Sequence, residues 1–219
     1  MLCELAIFDL DGTILNTLED LADSLNAALK AYGFPERTLE EVRCFVGNGI
    51  RRLIERGVPA GTPEEEIVRV HERFTAHYKV HCADKTRPYP GINDLLKNLR
   101  QAGCRTAVVS NKADYAVQEL CEQYFPGVFD AAVGERAGIL KKPAPDSVNE
   151  VLRRLKVTKE HAVYIGDSEV DIATARNAQM RSILVDWGFR DRSFLVEQGA
   201  ETIVSSPEEI ERLLMGPAC

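Results

Sequence analysis

The apolar pattern of the chain changes character twice. It opens on a four-residue apolar run, Leu5 to Phe8, that ends on Asp9 before a glycine turn. Too short for a helix, that run predicts a buried strand. From residue 16 to about 86 the spacing is helical only. Asn16 with Glu19 three residues on has the form of a capping box, and Leu18, Leu21, Leu25, Ala28 and Leu29 follow on one helical face. Gly33 and Pro35 end that helix. Thr38 with Glu41 opens a second helix, which breaks at Gly47-Asn48-Gly49, and Ile50, Leu53 and Ile54 continue a short third. Thr62-Pro63 with Glu65 marks a fourth N-terminus, with proline at the first helical position, where a missing N–H costs nothing. Ile67, Val70, Phe74 and Tyr78 carry this helix to about His81.

After Pro88 and Pro90-Gly91, strands and helices alternate. Helices are expected at Ile92 to about Ala102, at 113–124, after Pro145 to about Lys156, from about Glu169, and from Ser206-Pro207 with Glu209 onward. Strands are expected at Ala107–Ser110, near 128–133, at Ala162–Ile165 and through Ile183–Val185. Alternation of this kind means parallel strands joined by right-handed crossovers. The strand ends after Phe8, Val109 and Ile165 therefore fall on one edge of one sheet, where open α/β sheets bind ligands. The expected fold is α/β, a parallel sheet with helices on both faces and an all-helical insert. Residues 1–15 and 88–219 form the core, and 16–87 form the insert over that edge.

Composition narrows the function classes. With 219 residues, 27 Lys+Arg and 34 Asp+Glu, the formal net charge is −7, which argues against nucleic acid or an anionic membrane as partner. A small anionic substrate needs only one or two local cations and stays open. No run approaches the ~20 apolar residues of a membrane span, and the N-terminus lacks the basic start of a signal peptide. Cys3, Cys44, Cys82, Cys104, Cys121 and Cys219 contain no C-x-x-C pair. They read as reduced thiols of a cytoplasmic protein.

Four polar clusters meet at the predicted edge: Asp9-Leu10-Asp11-Gly12-Thr13, Ser110-Asn111, Lys142-Pro143, and Gly166-Asp167-Ser168 with Asp171. Each has an ordinary structural reading. Asp11-Gly12 suits a turn, Ser110-Asn111 or Ser168 with Asp171 suits a helix cap, and Lys142 suits a solvated turn. Together they supply two carboxylates two residues apart, a hydroxyl, a cation and a further acidic pair.

This ordered set resembles the haloacid dehalogenase-type hydrolase superfamily, in particular its phosphatases with a helical cap after the first strand. Val46-Gly47-Asn48-Gly49, Pro88-Tyr89-Pro90-Gly91 and Lys142-Pro143-Ala144-Pro145-Asp146 resemble the phosphoglycolate phosphatase group. The resemblance implies a Rossmann-like core, Mg2+ and an aspartyl-phosphate intermediate. It makes Asp9 the nucleophile and Asp11 the general acid and base. Asp9, the carbonyl of Asp11 and Asp167 become metal ligands, with Asp171 acting through water. Ser110, the N–H of Asn111 and Lys142 hold the phosphoryl oxygens, with Gly12 in the binding turn. Gly47, Asn48 and Arg43 of the cap become candidate contacts to the rest of the substrate, 2-phosphoglycolate, a small phosphorylated metabolite. An acid at Asp11 has a leaving oxygen to protonate, which favours phosphoryl transfer over dehalogenation.

Other activities use similar residues. A sugar-phosphate mutase, a pyrophosphatase or a nucleotidase of the same superfamily shares the core set. A phosphorylatable receiver module shares the chemistry without the helical insert. His77 and His81, four apart on a helix, have metal-binding spacing but no third ligand, and read as a solvated helix face. There is no G-x-G-x-x-G for a dinucleotide. The protein is expected to be a monomer or homodimer.

Overall fold

The computed structural model describes residues 3–216, so Cys219 lies outside the described residues. The chain divides into two compact units, Met1–Leu15 with Pro88–Cys219, and Asn16–Arg87.

The first unit is built on strand β1 (Leu5–Phe8), whose four residues are all buried. Two short strands, β2 (Leu15–Asn16) and β3 (Arg87–Pro88), pair where the chain leaves and re-enters this unit. The remaining strands are β4 (Arg105–Ala113), β5 (Ala131–Glu135), β6 (Ala162–Gly166), β7 (Arg181–Val185) and β8 (Ile203–Val204). All neighbours in the large sheet pair in parallel, in the order β5-β4-β1-β6-β7-β8. The connections run outward from β1 in one direction, then restart at β6 and run outward in the other. The strand order therefore reverses beside β1, which places the ligand crevice at the carboxyl ends of β1 and β6. In register, Phe8 lies opposite Val108 on one side and Ile165 on the other. That pairing sets Asp9 level with Gly166, the last residue of β6, and with Val109 of β4, after which the register of β4 shifts.

Helices α1 (Leu18–Ala31), α2 (Leu39–Phe45), α3 (Ile50–Gly57) and α4 (Glu64–His81) make the second unit. Leu25, Leu29, Val42, Ile54, Val70, Phe74 and Tyr78 are fully buried in it. The first unit holds α5 (Ile92–Gln101), α6 (Asp114–Tyr124), α7 (Asp146–Leu155), α8 (Glu169–Asn177), α9 (Arg192–Glu197) and α10 (Pro207–Met215). Leu5, Ile7, Ala107, Val109 and Tyr164 pack against Val148, Val151 and Leu152 of α7 and Ala175 of α8 on one face of the sheet. The alternate residues Ala6, Phe8 and Val108 are equally buried, so both faces are covered, as a parallel sheet requires. Among the described residues no helix is long and apolar enough to cross a membrane, and Cys3, Cys44, Cys82, Cys104 and Cys121 are free thiols.

The structure corrects several local expectations. Thr38 and Glu41 form the expected capping box, but Asn16 and Glu19 do not. The cap of α1 is Thr17, and Asn16 instead accepts weakly from the N–H of Leu18 at 3.4 Å. Pro63 is the residue before α4 rather than its first helical residue. The fifth strand starts at Ala131, later than 128, and β4 runs on past Ser110 to Ala113. Val109 lies opposite Val133, but Ala113 lies opposite Glu135, so β4 takes two extra residues in a bulge. Bulges re-aim side chains near ligand sites, and this one contains Ser110, Asn111 and Lys112.

Candidate active site

Asp9 is the first residue beyond β1, and its N–H still donates to the Ile165 carbonyl at 2.8 Å. Its Oδ1 accepts from the Leu10 N–H at 2.7 Å and faces Lys142 Nζ at 2.9 Å. Lys142 Nζ also donates to Asp171 Oδ1 at 2.8 Å and to the Tyr164 hydroxyl at 3.0 Å. The ammonium is 2% exposed. A buried lysine keeps its charge only where acceptors surround it, and two carboxylates do so here.

Asp171 is held at both of its oxygens. Its Oδ1 accepts from Lys142 and from the Tyr164 hydroxyl at 3.1 Å, and its Oδ2 from Asp167 N, Ser168 N and Ser168 Oγ. Ser168 and Asp171 do form a capping box, the ordinary reading open to them, and the same carboxylate anchors Lys142. Helix cap and site are therefore one construction.

Asp167 is held from the other side. Its Oδ1 accepts from the Thr13 hydroxyl at 3.2 Å and its Oδ2 from the Phe189 N–H at 2.7 Å. Glycines allow this approach. A Cβ on Gly12, which has φ +83°, would lie 2.3 Å from Asp167 Oδ2, and one on Gly188 would lie 2.4 Å from both Gly12 O and Asp167 Cβ. A Cβ on Gly166 would lie 2.3 Å from that of Asp171. The Trp187 indole donates to the Thr13 carbonyl at 3.1 Å and closes the far side.

The bulge of β4 delivers the remaining groups. Ser110 Oγ accepts from the Lys112 N–H at 3.3 Å, and the Asn111 side chain donates to the Lys142 carbonyl at 3.0 Å. Neither caps the following helix, whose first flanking residue is Ala113. Lys112 Nζ lies 2.8 Å from Asp11 Oδ1 and is 2% exposed. Sequence reasoning missed Lys112, Tyr164, Gly188 and Phe189. Lys112 had one usable signal: on an extended segment it faces the same side as Ser110, two residues earlier.

Charge decides what else this pocket can hold. Oxygens of Asp9, Asp167 and Asp171, all buried, lie within 4.8 Å of one another. Among the described residues the ammonium paired with these carboxylates is Lys142, since Lys112 pairs with Asp11 and Arg190, which acts on Asp167, pairs with Glu169. The shortfall is two charges, and the donors are hard oxygens, so a divalent cation of the Mg2+ type fits. Protonation shows the same imbalance. Burial pushes the Asp9 carboxyl up to about 7, reinforced by Asp171 and Asp11 and opposed by Lys142. Burial, Asp171 and Asp9 likewise raise Asp167 well above the carboxylate range. Burial opposes the charge on Lys142, but Asp171 and Asp9 outweigh it and hold the group protonated.

This has a pH consequence with a definite sign. An unfolded Asp titrates near ~3.9, so from there to about 7 the folded protein keeps a proton on Asp9 that the unfolded chain has lost. Stability then falls as pH rises through that window. A divalent cation competes with those protons, and its stabilising effect grows as they leave. Thermal melts with and without Mg2+ should show a gain in Tm that increases from pH 5 to pH 7.5. A gain independent of pH would count against the assignment.

The other residues singled out belong to the helical unit. Gly47 and Asn48 lie between α2 and α3, where Gly47 has φ +118° and Gly49 φ +84°. Arg43 approaches Glu40 of its own helix at 3.7 Å. His77 and His81 stack with ring centroids 4.3 Å apart. Their Nδ1 atoms meet Ser24 Oγ at 3.0 Å and Asp84 Oδ2 at 2.8 Å respectively.

Residues 6–185 match the family model of the haloacid dehalogenase-like hydrolases. The chain belongs to that family. A phosphoglycolate phosphatase of Agrobacterium fabrum (strain C58 / ATCC 33970) is 35% identical over 195 residues, 87% of this chain and 83% of that one. One from Aquifex aeolicus (strain VF5) is 32% identical over 209 residues, 95% of each chain. Among solved structures, a candidate phosphoglycolate phosphatase of Lactobacillus delbrueckii subsp. bulgaricus superposes with a TM-score of 0.95 at 43% identity, covering 99% of this chain and all of that one. CbbY of Rhodobacter sphaeroides, solved in complex with phosphate, superposes with a TM-score of 0.75 at 29% identity over 95% of this chain and 96% of that one. Within its family, this chain is a phosphatase.

Proposed function

We propose that this haloacid dehalogenase-like phosphatase hydrolyses 2-phosphoglycolate through a phosphoryl group carried transiently on Asp9. The observation that carries the chemistry is the buried Asp9 carboxylate, at the end of the central strand, with Lys142 at 2.9 Å and a second acid, Asp11, two residues on. An oxygen of Asp9 forms the bond to phosphorus as the ester bond breaks, and Asp11 gives its proton to the departing oxygen. Asp11 then takes a proton from the water that attacks phosphorus, releasing inorganic phosphate and restoring Asp9. Lys142, which Asp171 and Tyr164 fix in place, meets the non-bridging oxygens, joined by Ser110 Oγ and the N–H of Asn111. Mg2+ would be held by Asp9, Asp167 and the Asp11 carbonyl, with Asp171 in reach through water, and would supply charge neutralisation. Residues 16–87 are the cap of this proposal, and Arg43, Gly47 and Asn48 its contribution to substrate choice.

The curated relatives named phosphoglycolate phosphatase, similar over most of the chain, support the substrate assignment. A panel of phosphorylated metabolites assayed for phosphate release tests it. With Mg2+, kcat/KM for 2-phosphoglycolate should exceed that for glucose 1-phosphate, pyrophosphate and nucleoside monophosphates. Chelation should silence the enzyme, Mg2+ should restore it, and Ca2+, with its looser coordination, should inhibit. A sugar phosphate or pyrophosphate at the top of the panel would overturn the substrate. Undiminished turnover after thorough metal removal would overturn the cation.

A further inference from the structure

Two buried ammonium groups serve this pocket, and the mechanism above uses only Lys142. We infer that the second, Lys112, is the substrate-recognition cation of the site, binding a carboxylate carried on the ester carbon itself. The inference rests on Asp11 facing the leaving oxygen, as proposed above.

The geometry divides the work. Lys142 sits between Asp9 and Asp171, at the nucleophile. Lys112 sits at 2.8 Å from Asp11 Oδ1, at the acid that meets the leaving group. A bulge in β4 aims it there, and nothing about a stable sheet edge calls for a lysine 2% exposed at that point. A charge placed so deep carries a desolvation cost that holding Asp11 in place does not by itself explain. A second anion arriving with the substrate gives that cost a function.

Reach follows from covalent dimensions. If Asp11 hydrogen-bonds the ester oxygen at ~2.8 Å, Lys112 and that oxygen share a neighbour. In an O–CH2–COO− leaving group the carboxylate oxygens lie three bonds from the ester oxygen, ~3 Å away by ordinary bond lengths. A leaving group turned toward Lys112 brings a carboxylate oxygen within reach of the Nζ already paired with Asp11. A substrate carboxylate then takes over part of the ammonium's charge-assisted hydrogen bonding and turns Asp11 toward the ester oxygen. Leaving groups without an anion leave the Lys112–Asp11 pair as it stands.

The test compares 2-phosphoglycolate with ethyl phosphate, the same ester without a carboxylate, in wild type, Lys112→Met and Lys112→Arg. Charged hydrogen bonds of this kind set the scale, so the methionine variant should lose at least ~30-fold more kcat/KM on 2-phosphoglycolate than on ethyl phosphate. The excess loss should lie in KM, and arginine should recover part of it. Equal losses on both substrates would overturn the inference, leaving Lys112 as a positioning group for Asp11. A second measurement needs no variant. Glycolate should inhibit wild-type hydrolysis of p-nitrophenyl phosphate at least ~10-fold more strongly than ethanol at equal concentration, and equal inhibition would also overturn the inference. The two readings fail separately. Turnover of both esters with no preference for the carboxylate removes the Lys112 subsite and leaves the phosphatase standing. Absence of turnover on either removes both.

Discussion

Asp9→Asn is expected to stop phosphate release, with a fall in kcat of ~10^4-fold or more, the scale on which loss of a covalent nucleophile is felt. The fold should survive. Asparagine has the volume of aspartate, and its carbonyl oxygen can keep both contacts that Asp9 Oδ1 makes, from the Leu10 N–H and from Lys142. Removing one of three clustered carboxylates also takes away one of the charges that, behind burial and Asp171, raise Asp167. The melting temperature of metal-free Asp9→Asn should therefore equal or exceed that of wild type near neutral pH. Labelled substrate should leave no phosphoryl group on the variant after an acid quench, whereas Asp11→Asn, which keeps the proposed nucleophile, should accumulate it. Near-normal phosphate release from Asp9→Asn would rule out the covalent route.

The parts of this site that sequence shows are those where a strand ends abruptly on a polar residue. Leu5 to Phe8 is apolar at every position because both faces of β1 are covered, so Asp9 stands out at its end. The same contrast exposes Asp167 after β6. Lys112 was hidden because β4 does not end where its apolar run ends. The strand continues through a bulge, and extra residues in a ladder leave no hydropathy signal. Tyr164 was hidden for the opposite reason: it lies inside an apolar strand, and only its hydroxyl, reaching Asp171, belongs to the site. Gly188 and Phe189 act through backbone, by close approach and by one N–H, and any loop could supply those. Ser168 and Asp171 offered a choice between helix cap and site that no spacing rule resolves. The structure removes the choice, because one carboxylate caps α8 through Oδ2 and holds Lys142 through Oδ1.

That shared carboxylate makes Lys142 the residue whose loss should cost both stability and turnover. Lys142→Met keeps the length and apolar stem of the side chain but leaves Asp9, Asp167 and Asp171 with no ammonium among them. Breaking a buried ion pair by removing one partner costs ~3–5 kcal/mol. For a domain of this size that corresponds to a fall in Tm of ~10 °C. The cost comes from unpaired negative charge, so it should shrink when the carboxylates can protonate. The difference in Tm between Lys142→Met and wild type should be clearly smaller at pH 5 than at pH 7.5. Mg2+ should also narrow it at pH 7.5 by restoring part of the missing positive charge. Activity should not return with stability, because the group proposed to meet the non-bridging oxygens is gone, and kcat should stay down by ~10^2-fold or more. Lys142→Arg should fare little better. Its planar fork must fit where a single Nζ reaches Asp9, Asp171 and the Tyr164 hydroxyl within 3.0 Å, and guanidinium geometry does not match three acceptors around one point. A Lys142→Met protein that melted with wild type at pH 7.5 would mean that the three carboxylates are neutralised by protons rather than by the lysine. That result would reverse the charge count on which the divalent cation site rests.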